Sequence, residues 1–408
     1  MSETVSATAH PAIGKAKKPR DPRLDFFRGA ALFIILIAHM RENWLFDWIP
    51  ARFGVSDAAD MFVFISGYAA AIAFGGSFLR HGWLIGAARV AFRCAQLYAA
   101  QIMTVLIVAV ITALAVKHTG EAHYVDLAYL RLLFEDPQQA VIGIFTLTYV
   151  PLFLNIIPMY IVVLAMIPVA MMVARIHPLL VSVLSFALWA IANRFEINLI
   201  GDPSTNGPWY FNPFAWQLIF FVGFAISMGW IKAPARSRAL QGAALGVVVL
   251  GYLASYRGPA EVSALIDLYR DWVVAHSDKT YLDPLRVIHF LATAYLAITL
   301  IQGHEQSLLH PVFRVFVKCG QQALPTFLAG IIVAILGGIA FDLVGTGFLA
   351  QAGVNVASFA ILIANAYLVG WFKAKPWSRP APAGAAPVAP QIAAPAVAVP
   401  PLRAVAQE

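Results

Sequence analysis

Apolar runs long enough to cross a lipid bilayer recur along almost the whole chain. A helix needs about 20 apolar residues to span the hydrocarbon layer. Such runs predict ten helices, near residues 25–44, 59–79, 94–116, 156–174, 178–194, 213–232, 239–256, 285–302, 322–342 and 349–372. The apolar segment 138–155 is interrupted by Pro151 and predicts a further short or re-entrant helix. The sequence therefore predicts an all-α, polytopic helical bundle in a membrane.

Composition supports a membrane protein over a soluble one. Of the 408 residues, 60% are hydrophobic and only 12% are charged, whereas soluble proteins carry about 25% charged residues. The two cysteines, Cys94 and Cys319, lie in or beside predicted spans and are interpreted as small buried hydrophobic residues. No metal-binding spacing such as H-E-x-x-H occurs, so we expect neither a metal nor a permanently bound cofactor.

The distribution of Lys and Arg predicts how the bundle is oriented. With both termini in the cytoplasm, 19 of the 28 Lys and Arg residues fall on the inner side. The nine on the outer side are Arg41, Arg52, Lys117, Arg131, Arg194, Arg257, Arg270, Lys279 and Arg286. This bias obeys the positive-inside rule and implies an even number of spans. Because topology accounts for the formal charge of +7, nucleic acid is not an expected partner.

The ends of the chain have a different composition from the apolar runs. Residues 1–22 are polar and basic, and residues 374–408 are rich in Ala and Pro. Neither composition can build a packed core, so we expect two disordered tails around a membrane domain at 23–373.

Long polar segments are predicted on the outer side at 117–137, 195–212 and 257–284. The last of them has helical periodicity in its first half, which suits a helix along the membrane surface. Aromatic residues in and near these segments are expected to form an interfacial belt. The alternative is a platform that stacks on sugar rings. They are Trp209, Tyr210, Trp216, Trp272 and Tyr281.

Two ionisable residues lie in the first apolar run, where charge is costly. Arg28 and His39 are eleven residues apart, about 16 Å along a helix and roughly half the hydrocarbon thickness. Eleven residues make almost three turns, so both side chains project from nearly the same face. Such a face suits a passage filled with water or substrate. Alternatively, Arg28 only extends to the inner interface, and His39 makes a polar contact between helices.

Motifs in the first two runs resemble those of the acyltransferase-3 superfamily of membrane acyltransferases. Arg28, ten residues and His39 resemble its R-x10-H signature, and RLDFFRGAAL (23–32) is similar to its LDxLRG lead-in, with Asp25 at the acidic position. DMFVFISGY (60–68) looks like its D-x-F-F-v-x-S-G-F segment. It departs from that segment at Val63 and Tyr68.

Beyond residue 70 the chain is more similar to the OpgC family of glucan succinyltransferases. The similar stretches are NIIPMYIVVL (155–164), NPFAWQ (212–217) and DKTYLDPLRVIHFLATAYL (278–296), and the resemblance covers roughly 22–370. Asn155 stands where an Asp is expected in that family. The resemblance implies a bacterial inner-membrane enzyme that takes a succinyl group from cytoplasmic succinyl-CoA. Its acceptor would be a hydroxyl of osmoregulated periplasmic glucan.

This chemistry gives the residues of the first two spans expected roles. Transfer to an alcohol needs a base, and histidine has an unperturbed pKa of about 6.5. His39 is therefore predicted as the catalytic base, or as a nucleophile that carries the acyl group. Asp60 is the carboxylate closest in predicted depth to orient His39, with Glu42 as its rival. Arg28 is predicted to bind the anionic donor, through its phosphates or a dicarboxylic acyl group.

A second pair of ionisable residues lies at the outer end of the eighth predicted span. Arg286 and His289 are three residues apart and share a helix face. They are predicted to form the acceptor site or to bind a succinyl carboxylate. The alternative is that Arg286 anchors the helix at the interface and His289 is a packed polar residue. Gly67 is predicted as a helix-packing position, and Ser66 is not favoured as a nucleophile because no base is predicted beside it.

Three functions are compatible with the sequence. The first is succinyl transfer from succinyl-CoA to periplasmic glucan. The second transfers an acetyl or other acyl group from an acyl-CoA to another cell-surface glycan. The third is a transporter or flippase, because an Arg–His face alone allows passage of a substrate without bond chemistry. A need for a coenzyme A thioester separates the first two from the third, and membrane lipid is a partner in all three.

Overall fold

The first half of the chain folds almost entirely into helices in the computed structural model, which describes residues 21–255 and 264–378. A π-helical turn, Ala71–Gly75, joins α2 to α3, and short 3-10 turns lie at Trp44–Trp48, Pro50–Arg52 and Leu152–Leu154. The helices are α1 (Pro22–His39), α2 (Ala58–Ala70), α3 (Gly76–His81), α4 (Trp83–Thr119), α5 (His123–Leu127), α6 (Arg131–Glu135), α7 (Pro137–Thr146), α8 (Ile156–Ala165), α9 (Ile167–Val173) and α10 (Pro178–Arg194).

The second half begins with a small hairpin and continues as helices. The hairpin pairs β1 (Ile200–Asp202) with β2 (Gly207–Pro208) in antiparallel register. Two 3-10 turns, Glu305–Leu309 and Pro376–Ser378, flank the last three helices. The helices are α11 (Pro213–Met228), α12 (Arg238–Ser255), α13 (Ala264–Ala275), α14 (Pro284–Ile301), α15 (Pro311–Gln321), α16 (Ala323–Val344) and α17 (Phe348–Ala374).

Each of the ten predicted spans coincides with helix, and the described residues contain seven helical segments long and apolar enough to cross a membrane. These are Ala58–His81, Trp83–Thr119, Ile156–Val173, Arg238–Ser255, Pro284–Ile301, Ala323–Val344 and Phe348–Ser378. Of the other three, α10 and α11 are shorter, and α1 carries Arg23, Asp25 and Arg28. A multi-pass helical membrane protein is therefore confirmed. The count of ten crossings and the cytoplasmic termini stay predictions.

Apolar side chains cover the outside of the bundle. Large hydrophobic residues are more than two-thirds exposed, among them Leu79, Leu84, Ile176, Leu265 and Leu349. Water would penalise so much contiguous apolar surface, whereas lipid does not. The polar side chains instead gather inside, where Asp60, Gln101, Asn212 and Thr326 are buried.

Proline and a capping side chain fix where several helices begin. Pro22 opens α1 after Asp21, whose carboxylate accepts from the Arg23 amide, and Pro213 opens α11 after Asn212 in the same way. Proline suits the first turn because the amide it lacks would have no partner there. The predicted short helix before the fourth span is α7, and it ends at Thr146, before Pro151.

Two glycines allow α1 and α2 to pack against neighbouring helices almost backbone to backbone. A Cβ on Gly29 would collide with the Phe316 carbonyl of α15, and one on Gly67 would collide with the Phe220 carbonyl of α11. Small residues at such positions are typical of helix contacts in membranes. The prediction that Gly67 is a packing position is therefore confirmed.

The helix that follows residue 310 is broken in two. The predicted span at 322–342 corresponds to α16, and α15 precedes it as a separate helix beside α1. Gln322 lies at the break, and its side-chain oxygen accepts from Lys373 Nζ of α17 at 2.7 Å. The break therefore opens the bundle close to the end of α1 that carries Arg28.

The predicted tails lie mostly outside the described residues. Residues 1–20 and 379–408 are not described, nor is the stretch 256–263 within the third polar segment. Helix α1 already begins at Pro22, and α17 continues to Ala374. The helical periodicity expected in the third polar segment is confirmed by α13.

Candidate active site

The imidazole of His39, at the end of α1, has one nitrogen without a hydrogen bond to any described residue. Its Nδ1 donates to the Ile35 carbonyl at 2.7 Å, one turn back in the same helix. A carbonyl oxygen only accepts hydrogen bonds, so Nδ1 carries a proton, and in the neutral ring Nε2 holds the lone pair. The edge of the ring also contacts Phe153, with 4.8 Å between the ring centroids. The Nε2 of the neutral ring can thus accept a hydrogen bond from a bound group.

Neither carboxylate that was expected to orient His39 is bonded to it. Asp60 accepts from Arg286 Nε at 3.0 Å and Nη2 at 2.6 Å, and from the Asp57 amide at 2.8 Å. Glu42 pairs with its neighbour Arg41 at 3.3 Å, and both are about half exposed. The orienting role that was expected of a carboxylate belongs instead to the backbone of α1, because the Ile35 carbonyl accepts from Nδ1.

Four charged residues form a cluster at the N-terminal end of α2. Asp57 Oδ2 lies 2.6 Å from Lys279 Nζ and 3.0 Å from Arg286 Nη2, while Arg286 also binds both oxygens of Asp60. Burial alone would raise the pKa of Asp57, but the charges of Lys279 and Arg286 outweigh burial and hold that pKa below its usual range. The cluster ties α2 to α14 and to the turn before it.

The second predicted pair, Arg286 and His289, is used for internal contacts. Arg286 is 5% exposed, and its Nη1 donates to the Val55 carbonyl at 2.7 Å, in addition to its bonds to the carboxylates. His289 shares a hydrogen bond with Ser56 at 2.7 Å, and its ring lies between the backbones of Gly54 and Gly251. Neither lines the cavities next to His39. Their role at the acceptor site stays a prediction without a contact to support it.

Arg28 lies on the opposite end of α1, where it bridges to α2. Its Nη2 donates to the Ile65 carbonyl at 3.2 Å, and its Nη1 is 4.0 Å from Asp25 in the turn before. The residue is 9% exposed, and it lines a cavity that opens between α2, α4 and α8. Ser66 lines the same cavity, far from His39 along the helix pair.

The cavity beside Arg28 is rich in cations. This Arg28 cavity has a volume of about 680 Å³ and is lined by Arg28, Arg89 and Arg93 among mostly apolar residues. An adjoining space of about 450 Å³ shares Arg28 and Arg93 and adds Lys373. Guanidinium and ammonium groups gathered in this way suit a ligand with several phosphates.

A smaller cavity surrounds His39 and contains the Lys279–Asp57 pair. This His39 cavity measures about 300 Å³, and its polar lining consists of His39, Asp57, Asn155, Tyr210 and Lys279. Ile156 and Phe327 line both the His39 cavity and the Arg28 cavity. The two cavities are therefore separated by little more than these apolar side chains.

A third cavity continues from His39 away from Arg28. This Trp44 cavity measures about 730 Å³, and His39, Phe46 and Phe153 line both it and the His39 cavity. Its other polar and aromatic lining residues include Glu42, Trp44, Asp47, Tyr124, Asp126 and Tyr129. His39 consequently lies where the His39 cavity and the Trp44 cavity meet. The Arg28 cavity adjoins the His39 cavity in the direction of Arg28.

The aromatic residues noted in the sequence are dispersed in the structure. Trp209 and Trp216 are buried and donate to the carbonyls of Ile200 and Lys279, so they are neither belt nor platform. Tyr210 lines the His39 cavity, whereas Trp272 is half exposed on α13.

Trp44 and Tyr129, at the Trp44 cavity, were not singled out from the sequence. The signal available was WLFDW (44–48), which begins two residues after Glu42 and five after His39.

Metal ligation has no support in the described part of the chain, where no three His, Cys, Asp or Glu residues are grouped to hold an ion. Cys319 is buried and Cys94 partly buried, and both are free thiols. The candidate site consists of His39, the charged cluster and the three cavities.

Comparison with known proteins gives a single family. The sequence profile of the family described as OpgC protein matches residues 20–374, which is most of the chain. No curated protein and no solved structure matches the chain. The matched region contains α1 with Arg28 and His39, the charged cluster and the three cavities. The chain therefore belongs to the OpgC protein family, which indicates a glucan-modifying membrane acyltransferase.

Proposed function

We propose that this protein transfers a succinyl group from succinyl-CoA to a hydroxyl of a periplasmic glucan in the bacterial inner membrane. The observation that carries the proposal is the position of His39. Its Nε2 makes no hydrogen bond to a described residue, and its ring lines two cavities at once. A base placed between two binding spaces can act on a donor in one and an acceptor in the other.

The donor is expected to bind at the Arg28 end. Its phosphates would meet Arg28, Arg89, Arg93 and Lys373, which surround adjoining spaces there. Arginine offers planar pairs of N–H donors that match phosphate oxygens. By the positive-inside rule this end faces the cytoplasm, where acyl thioesters are available.

The thioester end of the donor must then reach His39, roughly 16 Å further along α1. The pantetheine arm is narrow, whereas a glucan is bulky and hydrated, so threading the arm is the less costly arrangement. The path would pass Ile156 and Phe327, the apolar residues shared by the Arg28 and His39 cavities. Apolar walls suit an arm that carries its phosphates at one end only.

The acceptor is expected to bind in the Trp44 cavity. Aromatic rings such as Trp44 and Tyr129 can stack on the apolar faces of sugar rings, and the carboxylates of Glu42, Asp47 and Asp126 can accept from sugar hydroxyls. A site with apolar surface and a few polar groups is typical of small-molecule and sugar binding.

The transfer needs a single proton, which His39 first accepts and then returns. Nε2 takes the proton of the sugar hydroxyl while the hydroxyl oxygen attacks the carbonyl carbon of the thioester. The carbon–sulfur bond then breaks, the new ester forms, and the proton passes from His39 to the departing sulfur. The products are the succinylated glucan and free coenzyme A.

The proposal is tested by replacing His39 in the purified protein. His39→Ala should lower succinyl transfer by about 10²–10⁴-fold, the usual contribution of a positioned base. His39→Gln should be similarly impaired because an amide keeps hydrogen bonding but not basicity. Free coenzyme A and succinylated glucan are measured together, and His118→Ala, at an exposed histidine of α4, serves as the matched control.

Each outcome of this experiment has a distinct meaning. Wild-type turnover in His39→Ala would remove His39 from the reaction. Movement of glycan by the wild-type protein without release of coenzyme A would instead indicate a transporter. Transfer of acetyl but not succinyl groups would support the second enzymatic reading and contradict the succinyl assignment.

A further inference from the structure

The His39 cavity contains hydrogen-bond donors that the transfer step does not use. Two of them are the ammonium of Lys279 and the side-chain amide of Asn155, and both line the same space of about 300 Å³ as His39. In the proposed reaction this is the space next to the thioester carbonyl. Its polar lining therefore bears on which acyl group the protein accepts.

Lys279 keeps donor capacity free towards the cavity. An ammonium has three N–H donors, and among the described residues the hydrogen bond made by Lys279 Nζ goes to Asp57 Oδ2, at 2.6 Å. The rings of Tyr210 and Phe211, which also line the cavity, have their centroids 5.7 and 5.3 Å from Nζ. The side chain is 25% exposed, so it is reachable from the cavity.

The turn that carries Lys279 is held on its carbonyl oxygens. Lys279 accepts from Trp216 Nε1 at 2.9 Å, and Thr280 accepts from the Asn212 amide at 3.3 Å. Tyr281 and Leu282 accept in turn, from the side chains of Asn193 and Trp189, at 2.9 and 3.0 Å. Four successive carbonyls are thus bonded to α10, α11 and the residue before α11. Such support fixes the backbone of the turn, and the bond to Asp57 holds the ammonium before any ligand binds, which lowers the entropic cost of binding.

Asn155 supplies the second, independent observation. The residue is 3% exposed, and its Nδ2 has no hydrogen-bond acceptor among the residues that the structure describes. A buried donor without a partner is costly, and this one belongs to a residue that lines the His39 cavity. An acyl group with several oxygen atoms would satisfy it.

We propose that Lys279 binds a free carboxylate at the far end of the acyl group, so that the His39 cavity selects acyl groups derived from dicarboxylic acids. This inference rests on the proposed function and names the residue that sets its acyl specificity. Arg286 is unsuited to this role because its guanidinium is bonded to Asp60, Asp57 and the Val55 carbonyl.

The charges around the His39 cavity allow a second anion beside Asp57. Asp57 is not dependent on Lys279 alone, since it also binds Arg286 at 3.0 Å and the Ala59 amide at 2.8 Å. The ammonium can therefore be shared with a substrate carboxylate. When His39 takes the hydroxyl proton, it becomes a cation in the same cavity and offsets the added negative charge.

The inference is tested by comparing two donors of equal carbon number. Butyryl-CoA has the same chain length as succinyl-CoA and lacks the terminal carboxylate. The wild-type protein should prefer succinyl-CoA, and Lys279→Met should lower kcat/KM for succinyl-CoA by about 10–100-fold, as expected for losing a charged hydrogen bond. The same variant should leave kcat/KM for butyryl-CoA within about threefold of wild type, because methionine keeps the length of the side chain.

Two further variants guard this comparison against a loss of folding. Asp57→Asn combined with Lys279→Met removes both charges of the pair and should show the same change in selectivity. Lys117→Met, at an exposed lysine at the end of α4, should leave kcat/KM unchanged for both donors. Thermal unfolding in detergent identifies any variant that is not folded. If either Lys279→Met or the double variant is unfolded, selectivity is measured with the other of these two.

The results separate the inference from the proposed function. An equal loss for both donors in Lys279→Met, or unchanged use of succinyl-CoA, would overturn the role of Lys279. Equal use of both donors by the wild-type protein would do the same and leave acyl transfer standing. If the wild-type protein transfers neither acyl group, the proposed function itself fails.

Discussion

Arg28 and His39 share one helix but make different kinds of contact, so their substitutions should affect different kinetic parameters. Arg28→Ala should raise the KM for succinyl-CoA about tenfold or more, the effect of losing a charged hydrogen bond, with little change in the KM for glucan. Arg28→Lys should recover only part of the loss because an ammonium lacks the paired donors of a guanidinium. Steady-state kinetics with each substrate varied in turn measures this.

The control for Arg28 is Arg175→Ala, an exposed arginine after α9 that lines none of the described cavities. Because Arg28 also donates to the Ile65 carbonyl, thermal unfolding of each variant is measured beside the kinetics. An unchanged KM for succinyl-CoA in folded Arg28→Ala would show that this residue does not bind the donor.

The functional importance of some residues can be predicted from the sequence around them, and that of others cannot. Arg28 and His39 could be selected because charge in an apolar run is conspicuous, and because their spacing matches a known signature. Lys279 lies in the polar stretch DKTYLD, where a lysine is ordinary. Its importance depends on Asp57, which is 222 residues away in the chain and is brought near by tertiary packing.

The partners of buried charges were the least predictable feature. Asp60 was expected at His39 on grounds of depth alone, whereas the structure bonds it to Arg286, 226 residues further along. A carboxylate in the first turn of a helix can face several neighbours, and helix rotation decides among them. The orienting bond of His39 to Ile35 is local, but no pattern in the sequence distinguishes a backbone acceptor from a carboxylate.

At the scale of helices, the contact between α1 and α15 should be sensitive to side-chain size. Gly29→Val would press against the Phe316 carbonyl, and overpacking of this kind costs about 1–3 kcal/mol. The thermal unfolding midpoint in detergent should fall accordingly. Gly246→Val is the matched control, because a Cβ there meets nothing within 4 Å. Equal midpoints for the two variants would mean that the close approach of α1 and α15 is not required.

Apolar length predicted the positions of the long helices well, and it failed where helices are short or broken. The run at 322–342 predicts α16, but α15 carries Arg314 and Lys318 among its apolar residues and was not predicted. It packs closely against α1 at Gly29 and Gly320. Its charged and apolar residues alternate with a helical period, so amphipathic periodicity, unlike apolar length, could have predicted it.

At the scale of the whole molecule, the three cavities follow one another along α1. The Arg28 cavity is lined by three arginines, and the His39 cavity is small and contains Lys279. The Trp44 cavity is lined by aromatic rings and carboxylates, with Arg41 beside Glu42. This order matches a donor with phosphates at one end, an acyl group in the middle and a sugar at the other end. In our account the bundle joins a cytoplasmic thioester to an acceptor outside without moving either substrate fully across.

The most direct test of this account uses the protein reconstituted in vesicles, with an epitope on the N-terminal side of α1 to report which face carries Arg28. Succinyl-CoA is supplied on one face and glucan on the other, and mass spectrometry of the glucan counts the succinyl groups added. We predict succinylated glucan when succinyl-CoA is on the Arg28 face and glucan is on the opposite face, and none in the reverse arrangement. Transfer only when succinyl-CoA is on the face opposite Arg28, or no transfer in any arrangement, would contradict the account.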